Sequence, residues 1–373
     1  MTVLFWVSLS LVAYAYVGYA VLLGVVSRVR LRGYSRSAIT PPISIVMIAH
    51  NEEKNLPAKL ANLAAIEYPA NLVQIVVASD ASTDRTNAIL QSARERIIPV
   101  ILPEKNGKAA ALNQAVRQAT GEILVFFDTR QYVDPNSVRE LVSCFSDPEI
   151  GAVSGQLLLV DAEGREAGDA LGLYWRIEKM VRRLESATGS VVGVTGAIYA
   201  LRRELYVELP AGTLLDDVLV PMNAARAGKR IIFLPTAIAR DRIFVEPGRE
   251  FSRKVRTLTG NYQLLALAPW LLTPSNPLLF RFISHKLMRL LVPFLLVLLL
   301  VASAAAHAWF YRALFGIQLI FYGLAFLGWL GPRLREWRIV GIAWTFTMLN
   351  FAAAVALYNF LTGRTTVWGV IRD

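Results

Sequence analysis

The sequence ISIVMIAHNEE at residues 43–53 is a short apolar, β-branched run that stops abruptly at polar and acidic residues. Two further runs of this kind, at residues 72–78 and 123–127, also stop at acidic residues. Helical patterns separate the runs, and buried strands that alternate with helices indicate a parallel α/β sheet. Ligands of such sheets bind beyond the carboxyl ends of the strands, so the carboxylates at these ends are predicted to line a binding site. These carboxylates are Glu52, Asp80 and Asp128.

The composition indicates a membrane protein that carries one soluble domain. The chain of 373 residues is 55% hydrophobic and 18% charged, and its mean hydropathy is +0.44. These values are too apolar for an ordinary soluble enzyme. Most charged residues lie between residues 30 and 260, a length typical of one domain. The single cysteine, Cys144, excludes an intrachain disulfide and favours a reducing compartment.

The net charge of +11 limits the classes of molecule that the chain is expected to bind. No basic-aromatic nucleic-acid motif is present, so we expect no nucleic-acid partner. A basic face toward the anionic lipid of a bilayer, together with arginines for a diphosphate substrate, accounts for the charge more simply. The three histidines are scattered and have no metal-ligand spacing.

Apolar runs predict where the chain meets the bilayer. Residues 3–26 are long enough to span about 30 Å of hydrocarbon, and four arginines that follow place that end in the cytosol. Residues 264–280 are apolar but interrupted by three prolines, which favours an interfacial segment over a spanning helix. Three further runs, at 287–306, 313–330 and 340–361, are spanning candidates. The last run either spans or re-enters, which leaves the side of the tail open.

The predicted organisation therefore has four parts, with the α/β domain in the cytosol and the helices in a bacterial inner or plasma membrane. These parts are an N-terminal transmembrane helix at 1–27, the α/β domain at 28–260, an interfacial segment at 261–282, and C-terminal transmembrane helices with a tail at 283–373.

Six motifs in this order resemble family 2 glycosyltransferases, in the membrane-embedded branch that includes hyaluronan, chitin and cellulose synthases. The resemblance covers about residues 40–260. It implies a GT-A-like α/β cytosolic domain joined to an α-helical transmembrane region, and an inverting transfer of sugar from a nucleotide sugar, a UDP-sugar, to a polysaccharide or lipid-linked acceptor. The motifs are IAHNEE at 48–53, SDASTDRT at 79–86, NGKAAALN at 106–113, FFD at 126–128, LDD at 215–217 and RKVR at 253–256.

The resemblance assigns donor binding to residues at the strand ends and on one later helix. Glu52 and Asp80 would accept hydrogen bonds from the base and ribose of the donor. The ordinary interpretations are that Glu52 is a surface carboxylate and that Asp80 accepts hydrogen bonds within a turn. Lys108 opens a helix, where backbone N–H groups and a cation suit a phosphate; a solvated lysine is the alternative. Arg253 and Arg256 stand one helical turn apart and would present two guanidinium groups to the diphosphate.

The sequence departs from the family at its metal site. The family has an Asp-x-Asp pattern whose second carboxylate holds a divalent cation, whereas this chain has Asp128-Thr129-Arg130. Mg²⁺ or Mn²⁺ would then bind through Asp128, the donor phosphates and water, because Mg²⁺ needs only one or two carboxylates. Alternatively, Arg130 itself holds the diphosphate in a bidentate manner.

Asp217 is the predicted general base. It lies at a helix start among apolar residues, where burial and the helix dipole tune its pKa, while Asp216 caps the helix and contributes to the acceptor site. The synthases have Gln-x-x-Arg-Trp at the position of residues 253–257. This chain keeps Arg256 but has Arg253 in place of the glutamine and Thr257 in place of the tryptophan, so the aromatic platform for the acceptor sugar is lost. Trp175 and Tyr262 are the candidates to replace it, although a core or interface aromatic is the ordinary interpretation of either residue.

Three classes of function follow. The first is an enzyme that builds a polymer or adds a single sugar, with Asp217 as base. The second is a non-catalytic relative that binds nucleotide sugar or scaffolds a polysaccharide-synthesis complex, which the Arg130 and Thr257 substitutions favour. The third, a transporter, is disfavoured because no spanning candidate contains an acidic residue.

Overall fold

A computed structural model describes residues 1–160, 170–242 and 247–364 of the chain. Within them, eight strands form a single sheet in the order β3-β2-β1-β4-β7-β6-β8-β5. The strands are β1 (Ile43–Ala49), β2 (Val73–Asp80), β3 (Ile98–Leu102), β4 (Ile123–Asp128), β5 (Tyr132–Val133), β6 (Ile150–Val160), β7 (Ile198–Arg202) and β8 (Arg230–Arg242).

The first half of the sheet is parallel, as the apolar runs predict. All seven residues of β1 are buried, because its side chains pack into apolar layers on both faces of the sheet. In the ladders, Ala49 of β1 pairs with Ser79 of β2, and Ile48 of β1 pairs with Asp128 of β4. This register brings the carboxyl ends of β2, β1 and β4 to one edge of the sheet.

The second half of the sheet is mixed, beyond the three strands for which the sequence predicts parallel pairing. β7 runs antiparallel between β4 and β6. The sequence concealed this strand because it has only five residues and begins inside the small-residue run at 189–200. The position of β7 matters for the site, because Tyr199 of β7 stacks on Phe126 of β4 with ring centroids 4.4 Å apart.

Helices cover both faces of the sheet and also form long apolar segments near both ends of the described chain. α1 and α2 are joined by a π-helical turn at Tyr14–Gly18, and α10 and α11 by another at Ile283–Leu287. The helices are α1 (Thr2–Ala13), α2 (Tyr19–Val29), α3 (Leu56–Ala64), α4 (Thr86–Ser92), α5 (Lys108–Arg117), α6 (Ser137–Ser143), α7 (Ala170–Thr188), α8 (Asp216–Arg226), α9 (Pro247–Leu267), α10 (Leu279–Phe282), α11 (Met288–Ala305), α12 (Trp309–Leu330) and α13 (Arg338–Leu361).

Four helical segments of the described chain are long and apolar enough to cross a membrane. They coincide with the four runs predicted from the sequence. The first and second segments pack together through Phe5, Leu299 and Ala302, whereas α13 lies along α9 with Phe251 stacked on Phe351. Residues 365–373 lie outside the described part, so the side of the tail stays open. The segments are Thr2–Val29, Leu279–Ala305, Trp309–Leu330 and Arg338–Leu361.

Gly121 makes the closest backbone approach in the sheet and gives a test of its packing. A Cβ at this position would lie 2.4 Å from the backbone carbon of Ile43, so Gly121→Ala is expected to lower the free energy of unfolding by about 1–3 kcal/mol. Chemical or thermal unfolding of the purified full chain measures the effect. Gly33→Ala, where no atom lies within 4 Å, is the matched control, and equal loss of stability in both variants would contradict the packing.

Candidate active site

The carboxylate of Asp80 fixes the loop that leads into α5. Its side chain is fully buried, and its two oxygens accept hydrogen bonds from the backbone N–H groups of Asn106 and Gly107, at 2.8 and 3.0 Å. Gly107 has φ +84°, a conformation that favours glycine. Asp80 thereby positions Lys108, the first residue of α5. Its predicted contact with a nucleoside stays a prediction.

Glu52 lies in the loop after β1 and is buried. Its backbone N–H donates to the Thr86 hydroxyl at 2.8 Å, and its carboxylate accepts a hydrogen bond from the Asn55 side chain at 2.7 Å. The neighbouring Asn51 accepts from the backbone N–H of Thr83 at 2.8 Å. The loops after β1 and β2 are thus tied into one rim beside the strand ends, with Glu52 inside it.

Lys108 joins carboxylates from distant parts of the chain. Its ammonium lies 3.4 Å from Asp128 at the end of β4 and 3.0 Å from Asp216 at the start of α8. Burial alone would lower the pKa of this ammonium, but the charges of Asp216, Asp128 and Asp217 together raise it. The lysine is therefore a permanent cation, and it lines a small cavity with Asp128, Asp216, Gly196 and other residues.

Asp217 lies next to this cavity and differs from Asp216 in its exposure to solvent. Asp216 is buried against Lys108, whereas Asp217 is half-buried and faces Gly196, where a Cβ would stand 3.7 Å from its Oδ2. Burial first, and then the charge of Asp216, raise the pKa of Asp217 to about 6, although Lys108 opposes the shift. A carboxylate with this pKa is ionised at neutral pH and still a competent proton acceptor.

Two residues of this region carried no signal in the sequence. The hydroxyl of Tyr199 is buried and makes no hydrogen bond with the described residues; burial and then the charge of Asp216 raise its pKa. Lys59 is buried 4.8 Å above the Phe127 ring and donates to the Gln131 carbonyl at 2.8 Å. Burial lowers the pKa of Lys59 to about 7, although Asp128 acts in the opposite direction. Tertiary packing alone brings both residues here.

Arg130, which stands where the family has its second carboxylate, forms an ion pair within the domain. The guanidinium of Arg130 pairs with Asp241, a buried residue of β8 that also accepts from Gln131 at 3.0 Å. Among residues 1–160, 170–242 and 247–364, no three His, Cys, Asp or Glu side chains are grouped to hold a metal. Asp128, whose side chain is 41% exposed, would hold a divalent cation only together with ligands from the substrate. Asp128 therefore fits a divalent-cation site that the substrate completes.

The basic helix α9 packs on the segment that presents Asp216 and Asp217. Gly260 approaches Leu215 so closely that a Cβ would lie 2.6 Å from its Cγ, and the backbone N–H of Leu214 donates to Gln263 at 3.0 Å. Arg256 lies one helical turn before Gly260 and so shares its face, whereas Arg253 is exposed. Their predicted role in binding a diphosphate stays a prediction. The side chain of Trp175 lies outside the described part.

Comparisons with known proteins show which sequences and which fold the chain resembles. Residues 44–209 match the family model described as Glycosyl transferase family 2. The chain is 25% identical over 234 residues to a poly-beta-1,6-N-acetyl-D-glucosamine synthase of Staphylococcus aureus, covering 60% of this chain. It is 27% identical over 247 residues to an N-acetylglucosaminyltransferase of Azorhizobium caulinodans, covering 62% of this chain. The chain spans 55% of the length of the first relative and 62% of the second.

A solved structure with a similar fold covers nearly the whole chain. It is a mannosyltransferase from Pyrobaculum calidifontis in complex with GDP-Man and Mn²⁺, with a TM-score of 0.71 and 23% identity, and the match covers 97% of this chain and 99% of that one. The likeness confirms the predicted GT-A-like α/β fold with its apolar helices.

The Lys108 ion pairs give a test of the site. Lys108→Met would leave the buried Asp216 without its cation, so we expect a loss of about 2–3 kcal/mol in the free energy of unfolding, reduced from the cost of a fully buried pair because Asp128 is partly exposed. Arg117→Met is the matched control, since this residue pairs with Glu208 on the surface and little change is expected. Unfolding of both full-length variants measures the difference, and equal stability would contradict the central role of Lys108.

Proposed function

From the premise that residues 44–209 are a glycosyl transferase family 2 domain, we propose that the chain is an inverting glycosyltransferase. It moves a sugar from a nucleotide sugar to a polysaccharide or lipid-linked acceptor at the membrane, with Asp217 as the general base. The observation that carries the proposal is the meeting of Asp217, Asp216, Asp128 and Lys108 at the edge where the parallel strands end.

The chemistry needs a base beside the anomeric carbon of the donor sugar. As the acceptor hydroxyl oxygen attacks that carbon, the Asp217 carboxylate takes the hydroxyl proton. The bond from the anomeric carbon to the diphosphate oxygen breaks at the same time, and its electron pair leaves with the diphosphate. A single in-line displacement inverts the configuration of the anomeric carbon, so an α-linked donor gives a β-linked product.

The departing diphosphate needs positive charge. A lysine ammonium has three donors, and Asp128 and Asp216 occupy two of those of Lys108, which leaves the third for a phosphate oxygen. Arg256, on the face of α9 that packs beside Asp216 and Asp217, and Arg253 one turn earlier supply guanidinium groups that suit phosphate. Glu52 and Asp80 are proposed to border the base and ribose of the donor.

The nucleotide is proposed to be UDP, by resemblance to the synthases, and the sugar N-acetylglucosamine. The two relatives, a synthase of poly-N-acetylglucosamine and an N-acetylglucosaminyltransferase, support this sugar. The mannosyltransferase with the similar fold was solved with GDP-Man, so GDP-mannose is the donor to compare. The arginines after the first and third membrane segments, Arg28 and Arg333 among them, support a cytosolic catalytic domain at a bacterial inner or plasma membrane.

A non-catalytic scaffold is the rival function. The Arg130–Asp241 pair favours it, because it replaces a metal-binding carboxylate with an internal contact. The grouping of Asp217 with Asp216, Asp128 and Lys108 favours the enzyme, because titratable groups with perturbed pKa values cluster at functional sites. Release of nucleoside diphosphate from membranes distinguishes the two functions.

Asp217→Asn tests the enzyme directly. We expect nucleoside diphosphate release from UDP-N-acetylglucosamine or GDP-mannose to fall by about 10²–10⁴-fold, the usual contribution of a general base, with little change in donor affinity. Glu208→Gln, an exposed carboxylate, is the matched control and should keep wild-type activity. Full activity in Asp217→Asn would disprove the assigned base, and no release from any donor by the wild-type chain would favour the scaffold.

A divalent cation between Asp128 and the donor diphosphate would neutralise leaving-group charge. The Mn²⁺ in the similar mannosyltransferase structure supports the proposal that Mg²⁺ or Mn²⁺ serves here. We expect EDTA to lower the rate of diphosphate release by about tenfold or more, Mn²⁺ to restore it, and Asp128→Asn to raise the Mn²⁺ concentration needed. An EDTA-resistant rate would instead assign the diphosphate to Arg130 and its neighbours.

A further inference from the structure

A cluster of buried charges lies where the catalytic domain meets the second membrane segment. The first turns of that segment carry Arg281, His285, Lys286 and Arg289. An apolar run follows from Leu290 to Ala305, which is about 24 Å long at 1.5 Å per residue. The basic residues therefore lie at the level of lipid headgroups, on the side of the catalytic domain.

Within the described parts of the chain, two buried glutamates of α7 contact these basic residues. Glu178 of α7 is shared by Arg182 at 3.4 Å, His285 at 3.2 Å and Arg289 at 2.8 Å. Glu185 accepts from the hydroxyl of Tyr19 at 2.6 Å and contacts the other ring nitrogen of His285 at 3.0 Å.

Lys286 remains outside these pairs. It lies on the same helical turn as His285 and is half-buried, yet its ammonium has no hydrogen bond or ion pair within the described parts of the chain. An ammonium withdrawn from water is costly unless an anion neutralises it. The position therefore suits a negatively charged ligand.

The cluster is connected to the proposed base. Arg182 donates from Nη1 to the hydroxyl of Thr195 at 2.7 Å, and the next residue, Gly196, faces the carboxyl group of Asp217. The charges of Lys286 and Arg182 both act on Asp217, lowering the pKa that burial and Asp216 raise. An anion held by these two cations would lie beside the base, on its membrane side.

Apolar surface flanks the same helix. Ile177 and Met180 of α7 are 39% and 45% exposed and lie within two turns of Arg182. On the membrane segment, Ile283 and Leu291 are also exposed. A ligand that carries a phosphate at headgroup level and a hydrocarbon chain below it fits this combination of two cations and an apolar border.

We propose that Lys286 and Arg182 bind the phosphate of a lipid-linked acceptor. The assignment rests on the proposed function, because it gives that transferase its acceptor class. It also limits the reaction: with the phosphate beside Asp217, the attacking hydroxyl lies on the lipid phosphate itself or on a sugar within one or two units of it. The chain then adds a single sugar to a short lipid-linked acceptor and does not extend a long polymer.

Binding measured without turnover tests this assignment separately from catalysis. The full chain in phosphatidylcholine nanodiscs is titrated with farnesyl phosphate, farnesol, inorganic pyrophosphate and UDP. We expect farnesyl phosphate to bind about tenfold or more tightly than farnesol, and Lys286→Met to remove about this factor, the typical worth of a charge-assisted hydrogen bond. Lys286→Arg should keep the preference. Arg183→Met, the exposed neighbour of Arg182, removes the same charge and should bind as wild type.

Each result has a defined meaning. Selective loss of farnesyl phosphate binding in Lys286→Met, with UDP affinity unchanged, supports the assignment. A parallel loss of UDP affinity overturns it, because the cluster would then hold the donor diphosphate. Equal affinity for farnesol or for pyrophosphate overturns it as well, as does an effect of the same size in Arg183→Met. If the wild-type chain releases no nucleoside diphosphate from any donor, the proposed function fails, whatever the binding result.

Discussion

The site depends on one cation, the ammonium of Lys108, at the edge where the parallel strands end. Carboxylates brought together at such an edge repel one another unless positive charge lies between them. Lys108 lies between Asp128 and Asp216, and Asp80 fixes the loop before it. Burial, and then the charge of the neighbouring Asp216, raise the pKa of Asp217. One ion-paired lysine thus allows neighbouring aspartates to differ in their chemistry.

The parallel half of the sheet, with the acidic residues at its strand ends, can be predicted from the sequence. The run at 43–49 is apolar throughout because β1 is buried on both faces, and an acidic residue at a strand end is visible without coordinates. The motif that contains Lys108 was recognisable because its glycine and lysine occur together at a helix start. Asp217 was identified in the same way, from its position in the first turn of α8.

What the sequence did not reveal depends on tertiary packing. β7 is too short to show a pattern, and its antiparallel insertion beside β4 places Tyr199 in the cavity wall. Lys59 lies on the buried face of α3, and only the fold places it over the ring of Phe127. The Arg130–Asp241 pair joins residues 111 positions apart, so the sequence showed the loss of a carboxylate but not the contact that replaced it.

Buried charges connect α7 with the second long apolar segment, Leu279–Ala305. Glu178 and Glu185 are buried in α7, and cations of the second membrane segment neutralise them. An uncompensated buried carboxylate is strongly destabilising, so α7 keeps its place only while that segment is packed against it. The charges of Lys286, on the same segment, and of Arg182, on α7, act on Asp217 and lower its pKa. The packing of that segment on α7 therefore contributes to the electrostatic environment of Asp217, the proposed base.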